Sequence, residues 1–216
     1  MAVEIELKAR LDDGEPVKGR LSVLGEYCRS YAKSDTYWLP ARQLPARQLV
    51  ARQLAAPIPS GVRVRRESGV NADGAAFDSV LITYKTKEIT DGIEINDESE
   101  FTVSDAAVFE ELLSRLGLSP TYRKEKRGWA WLVPPAAQAA APPILAELSS
   151  VAGLGWFLEI EIQVADTAAA DSGQAVIEES RRRLLALLEK LEIPAERIES
   201  RPYTLMLKEA ELALKN

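Results

Sequence analysis

Glu4, Glu6 and Lys8 fall on one face of the alternating run AVEIELKAR at positions 2–10, with Val3, Ile5, Leu7 and Ala9 on the other. A β-strand sends successive side chains to opposite faces, so two carboxylates and an ammonium stand in a row. The pattern recurs along the chain. Arg63 and Arg65 oppose Val62 and Val64, and Thr83, Lys85 and Lys87 oppose Val80, Ile82 and Tyr84. Glu94, Asn96, Glu98 and Glu100 share a phase, and Glu159, Glu161 and Gln163 oppose Leu158, Ile160 and Ile162. An antiparallel sheet commonly turns one polar face to water, which accounts for any one such strand. It accounts poorly for their segregation, because glutamates crowd some strands while others carry only Arg or Lys at the key positions. Carboxylates within reach of one another call for a divalent cation. A ring of Arg and Lys calls for a polyanion, and Arg binds phosphate bidentately. If the sheet closes with its apolar faces outward, the charged faces meet in a lumen. That lumen must be wet and filled with compensating ions, since an unpaired buried charge costs several kcal/mol. The ligand these residues imply is a metal-bound polyphosphate.

The chain has no histidine, which removes Ser-His-Asp and Cys-His catalysis, imidazole acid–base chemistry and the usual zinc sites. Any metal must be held by oxygen, hence Mg²⁺, Mn²⁺ or Ca²⁺. Cys28, the single cysteine, has no partner for an internal disulfide and reads as a packing residue rather than a nucleophile. A net charge of −6 over 216 residues argues against long-range attraction to nucleic acid or anionic membrane. No apolar run reaches the ~18 residues of a membrane span. The acidic start, with Glu4, Glu6 and Asp12, lacks the basic-then-apolar layout of a signal peptide, so a cytoplasmic location is expected. With 46% hydrophobic residues the chain can bury a real core, in one large domain or two small ones.

The charged strands need elements to position them. EPVKGRLSVLG (15–25) reads as a helix with an acidic residue and a proline in its first turn and Gly25 as its stop. SDAAVFEELLSRLGL (104–118) reads as a second, capped by Ser104, with apolar positions 108, 109, 112, 113 and 116 and Gly117 ending it. Residues 171–191 form the longest helix, and YTLMLKEAELAL (203–214) a C-terminal one. YAKSDTYW is strand-like, and Asp91-Gly92 joins the runs at 79–87 and 92–103 into a hairpin. Three ARQL copies at a five-residue step, inside LPARQLPARQLVARQLAAPIPSG, fit neither period and carry prolines, which makes this an expanded loop. PPAAQAAAPP (134–143) is a solvated connection. Over 122–133 the register is open, because Arg123, Glu125 and Arg127 share one face with Trp129 and Trp131, which read as packing residues.

Taken in order, these motifs resemble one family. Glu4-Ile5-Glu6-Leu7-Lys8 is similar to the N-terminal ExExK signature of the CYTH domain, or triphosphate tunnel metalloenzyme, family, which includes class IV adenylyl cyclases, thiamine triphosphatases and inorganic triphosphatases. The strand Lys33-Ser34-Asp35-Thr36-Tyr37, the RxR of Arg63 and Arg65, the ITYK ending at Lys85 and the ExE of Glu98 and Glu100 follow. Then come the KxK of Lys124 and Lys126, where the family usually has KxR, and GLGWFLEIE ending in Glu159 and Glu161, so the resemblance spans essentially the whole chain. It implies an α+β fold: an eight-stranded antiparallel β-barrel, or tunnel, with helices packed on the outside. Residues 1–216 would form a single tunnel domain with a loop insertion at about 40–60. By position, the resemblance implies that Lys8, Arg63, Arg65, Lys85, Lys124 and Lys126 bind the phosphate chain, and that Glu4, Glu6, Glu98, Glu100, Glu159 and Glu161 hold one or two Mg²⁺ or Mn²⁺ ions. Glu6, Lys8, Glu159 and Glu161 would carry catalysis. One ion would orient the phosphates and a second would lower the pKa of the attacking water.

The activity so implied is a divalent-metal-dependent triphosphatase acting on inorganic triphosphate, thiamine triphosphate or a nucleoside triphosphate. Two alternatives stay open: a class IV-type adenylyl cyclase converting ATP to cyclic AMP and pyrophosphate, and a non-catalytic polyphosphate-binding module. The partner is a triphosphate-containing small molecule, with neither nucleic acid nor membrane, and homodimerisation stays open. Departures from the family pattern motivate the binding-module alternative. LSSVAGLG places Ser149 where the family often has an acid and Ala152 where it has Glu, with Glu147 two residues earlier as the candidate substitute. Asn96 stands where a basic residue is expected, and Lys126 lacks the bidentate fork of an arginine.

Overall fold

The computed structural model describes residues 2–40, 61–90, 93–135, 141–165 and 171–213, with side chains described except at 2–3, 85–90, 93–98, 165 and 171–173. The ARQL segment and the Asp91-Gly92 turn therefore lie outside the described residues. Eight strands form the sheet: β1 (Ala2–Leu11), β2 (Glu26–Pro40), β3 (Val62–Asn71), β4 (Ala76–Thr90), β5 (Ile93–Thr102), β6 (Leu118–Val133), β7 (Ile144–Val151) and β8 (Gly155–Ala165). They close into an antiparallel barrel in the order β1-β5-β4-β3-β2-β6-β7-β8. β1 makes the closure, pairing with β5 on one side, Glu6 opposite Glu94, and with β8 on the other, Lys8 opposite Glu159.

The apolar core lies outside the barrel, between strands and helices. Ile5, Leu7 and Ala9 of β1 pack with Ala146 and Leu148 of β7 and with Leu158, Ile160 and Ile162 of β8. Over them lie Val17 and Leu21 of α1 (Glu15–Leu24) and Leu184, Leu187 and Leu188 of α3 (Asp171–Lys190). Burying one such side chain stabilises the fold by about 1.5–3 kcal/mol, so this seam fixes which face of each strand points in. A slip of one residue would turn every charge outward. The same seam decides the register of β6. Trp131 is buried in this core and Trp129 stacks on Trp156 with ring centroids 6.1 Å apart, which leaves Lys124 and Lys126 on the inner face.

A smaller cluster, Trp38, Val64 and Ile82, is covered by Leu113 of α2 (Ala106–Arg115). This helix begins one residue later than the Ser104 cap implies. Asp105 caps it instead, its Oδ1 accepting from the N–H of Ala107 at 2.9 Å and of Val108 at 3.1 Å, and its charge suits the positive end of the helix dipole. α4 (Tyr203–Ala213) places Tyr203 and Met206 against Val151 and Phe157. Among the described residues no helix is long and apolar enough to cross a membrane.

Candidate active site

The barrel encloses a cavity of about 760 Å³ lined by side chains from every strand. Alternation delivers them. With Ile5 and Leu7 turned out to the core, Glu4, Glu6 and Lys8 of β1 must turn in, and Glu159, Glu161 and Gln163 of β8 follow for the same reason.

Bases gather where β2, β3 and β6 meet, and buried acids hold them. Asp35, with 0% exposure, accepts from Arg65 at both oxygens, Nε to Oδ1 at 2.7 Å and Nη2 to Oδ2 at 3.0 Å, while Lys124 Nζ lies 3.1 Å from Oδ2. Burial would raise the Asp35 carboxyl, but Lys124 and Arg65 outweigh it and hold the group well below the usual carboxylate range. Glu147 accepts from Lys33 Nζ at 2.5 Å and Lys126 Nζ at 3.1 Å, and Lys126 also donates to Glu159. Burial lowers Lys33 to about 8, with Glu147 opposing the fall. Glu159 is pushed up by burial but brought down to about 2 by the ammonium groups of Lys126 and Lys124. Arg63 donates to Thr83 Oγ1 from Nη2 at 2.8 Å and Nε at 3.2 Å, with Glu100 at 3.6 Å. Arg29 lies 3.5 Å from Glu67 and 3.6 Å from Glu147.

Acids dominate the β1–β8 wall. Glu6 is paired in register with Glu161 and Glu4 with Gln163, and all four line the cavity. Burial, followed by the charges of Glu4 and Glu6, pushes the Glu161 carboxyl well above its usual range. Among the described residues no three acids converge tightly enough to form a ready-made cation cage. The fit to a divalent ion is therefore one of donor chemistry: hard carboxylate oxygens, with Glu4 and Glu6 near enough to add to the rise at Glu161.

Lys8, in phase with these acids, turns toward the C-terminal segment. Its Nζ donates to the Arg201 carbonyl at 2.7 Å and lies 4.5 Å from the Tyr203 ring centroid. Burial, with Glu159 adding to it, pushes the Tyr203 phenol well above its usual range, so it keeps its proton.

The tunnel thus brings together Glu4, Glu6, Lys8, Arg63, Arg65, Glu100, Lys124, Lys126, Glu159 and Glu161. Within the expected metal set, Glu159 is bonded to Lys126 and Glu100 lies beside Arg63, while Glu6 is in register with Glu161. Lys85 and Glu98 are paired in register between β4 and β5, and their side chains, like that of Asn96, lie outside the described ones. Glu147 does lie inside the lumen, but it serves Lys33 and Lys126 rather than the acidic wall, and Ser149 is fully buried two residues on. Sequence reasoning passed over Lys33, Asp35, Glu67 and Tyr203 as site residues. The first two carry their signal in the alternation of YAKSDTYW and the third in its phase with Arg63 and Arg65, whereas Tyr203 carries none.

The fold recurs among solved structures. The PH1819 protein of Pyrococcus horikoshii OT3 superposes with a TM-score of 0.69 at 22% identity, over 95% of this chain and 99% of that one. A candidate adenylate cyclase from Vibrio parahaemolyticus gives 0.65 at 17% identity, over 95% and 97%. The Hippeastrum protein HpAC1, a candidate adenylyl cyclase with a dominant triphosphatase activity, gives 0.56 at 13% identity, over 97% and 96%. Comparison with curated protein sequences yields no match. The CYTH domain model matches residues 2–203, and this match, on a closed tunnel with charge turned inward, makes the chain a member of the CYTH domain family.

Proposed function

We propose that the protein is a divalent-metal-dependent triphosphatase that binds the phosphoryl chain of a small-molecule triphosphate inside the tunnel. The observation that carries this reading is the charge turned into one cavity: Arg63, with Arg65, Lys124 and Lys126 held in place by buried acids, shares it with a wall that carries Glu4, Glu6 and Glu161. The Arg65 fork, held in plane by Asp35, keeps three of its five N–H groups for phosphate oxygens. Lys124 and Lys126 carry ammonium charge at small exposure, where attraction for an anion is far stronger than in bulk water. Lys8 and Lys85 extend the basic set by family position. Glu4, Glu6 and Glu161 would hold Mg²⁺ or Mn²⁺, with Glu98, Glu100 and Glu159 as the remaining family positions. The ion, when bound, supplies Lewis-acid stabilisation of phosphoryl charge. The described cavity lining includes no cysteine, and its one serine, Ser79, stands in register with the acid Glu67 rather than with a basic residue, which favours water as the attacking group and hydrolysis as the reaction. The triphosphatase activity of HpAC1 points the same way.

Adenylyl cyclisation is the second reading, favoured by the aromatic surface at the rim, where the Arg29 guanidinium lies 5.8 Å from the Phe77 ring centroid and could flank a planar base. Incubation with inorganic triphosphate, thiamine triphosphate or ATP, each with Mg²⁺ or Mn²⁺, separates the readings by product. Orthophosphate is the expected product. Cyclic AMP and pyrophosphate from ATP would replace hydrolase by cyclase, and binding without turnover across the panel would leave a binding module.

A further inference from the structure

The chain itself covers one end of the tunnel beside β1, on the edge that β5 leaves unpaired beyond Glu6. Ile198 bridges to Ala9, and the Glu199 N–H donates to the Lys8 carbonyl at 2.8 Å. From there Pro202, Tyr203 and Thr204 turn in to line the cavity. The Tyr203 ring packs edge-on against Phe157 at 5.1 Å, and the Lys8 and Lys124 ammonium groups lie 4.5 and 4.7 Å from its centroid. The ring is fully engaged, but the hydroxyl is not. Tyr203 Oη is buried and has no hydrogen-bond partner among the described residues. A buried hydroxyl left unpaired costs about 1–3 kcal/mol, so native structures rarely tolerate one unless something beyond the protein accepts from it. The two ammonium groups beside the ring come from β1 and β6, so the tyrosine stands where the β1–β8 wall meets the basic layer. Elsewhere along the lumen access improves: Arg29 and Glu100 side chains are 34% and 40% exposed, against 4% for Lys124.

We propose that Tyr203 Oη donates to an oxygen of the terminal phosphoryl group, so that the start of α4 forms the tunnel's end wall and the substrate goes in terminal phosphate first. This rests on the triphosphate reading and sharpens it. The phosphorus beside Lys8 and Glu159, with Glu6 next along the same wall, is then the terminal one, so orthophosphate leaves. Attack at the α-phosphorus, which cyclisation needs, would occur farther out. Whatever the phosphate chain carries at its other end projects toward Arg29 and Phe77, where it does not touch Tyr203.

Tyr203→Phe in the full chain tests this, because it removes one oxygen and keeps the ring contacts with Phe157, Lys8 and Lys124. Calorimetric binding of inorganic triphosphate and of ATP with Mg²⁺, together with orthophosphate release, should each fall about 10- to 100-fold, the range for losing a hydrogen bond to a charged group. The fall should be equal for the two ligands. Thermal stability should hold or rise, since the unpaired hydroxyl is gone. Wild-type binding and turnover in Tyr203→Phe would overturn the inference while leaving the triphosphate reading intact, as would a loss confined to ATP, which would put the hydroxyl at the organic group. A wild-type chain that binds no triphosphate would sink both.

Discussion

Asp35 has no solvent contact and three bonds to two bases, which makes it the residue most sensitive to truncation. Asp35→Ala leaves Arg65 and Lys124 facing each other without a counter-charge, and urea unfolding should register a loss of about 3–5 kcal/mol. Lys33 governs pH behaviour. Its folded value of about 8 lies below the ordinary 10.5, so between those limits the unfolded chain holds a proton that the folded chain has released, and this residue's contribution to stability rises with pH there. Binding of a polyanion favours the ammonium form. Triphosphate affinity should therefore fall from about pH 7 to about pH 9, with proton uptake on binding detected by calorimetry in buffers of different ionisation enthalpy, and Lys33→Met should abolish that uptake. Both stand in a strand that carries the family resemblance, yet neither was read as a site residue, although both share a strand phase with Tyr31 and Tyr37. An acid between bases reads as ordinary surface charge until the sheet closes and shows that the three share one desolvated space.

At the level of elements, β6 and β7 approach too closely for a side chain at Gly128. An added Cβ there would stand 2.1 Å from the Leu148 carbonyl oxygen and 2.8 Å from Ser149 Cα. Gly128→Ala must push the strands apart, at a cost of about 1–3 kcal/mol, and it would disturb the neighbouring contact of Lys126 with Glu147. Reduced thermal stability together with weaker triphosphate binding is the expected result, whereas a stability loss with unaltered binding would show that the seam does not position the site. β7 itself left little trace in the sequence. ILAELSSV is buried on both faces and so lacks the alternation that announced β1, β3 and β8. The cap of α2 fell one residue early in the sequence reading for a local reason, because Ser104 and Asp105 are both good caps and only backbone geometry selects the second.

For the whole molecule, strict alternation together with charge sorted by strand made the inside-out barrel legible: an apolar exterior under helices and a charged bore. The pairing of charges within that bore was not legible, because strand phase tells which face a side chain takes but not which neighbour it meets across the lumen. The role of α4 was hidden for a related reason. Its apolar positions announce a buried face, yet only the path of residues 198–202 past β1 brings Tyr203 into the cavity. The central proposal is that basic and acidic side chains turned into one tunnel bind and hydrolyse a triphosphate. Its most direct test is orthophosphate release from inorganic triphosphate with Mg²⁺, measured for the wild-type chain, Arg63→Ala and Glu161→Gln, each checked for folding by circular dichroism. The account predicts metal-dependent release by the wild type, abolished by chelator, and a fall of about 100-fold or more in each variant, the scale for losing a group that stabilises transferring phosphoryl charge. Folded variants that release orthophosphate at the wild-type rate would contradict it.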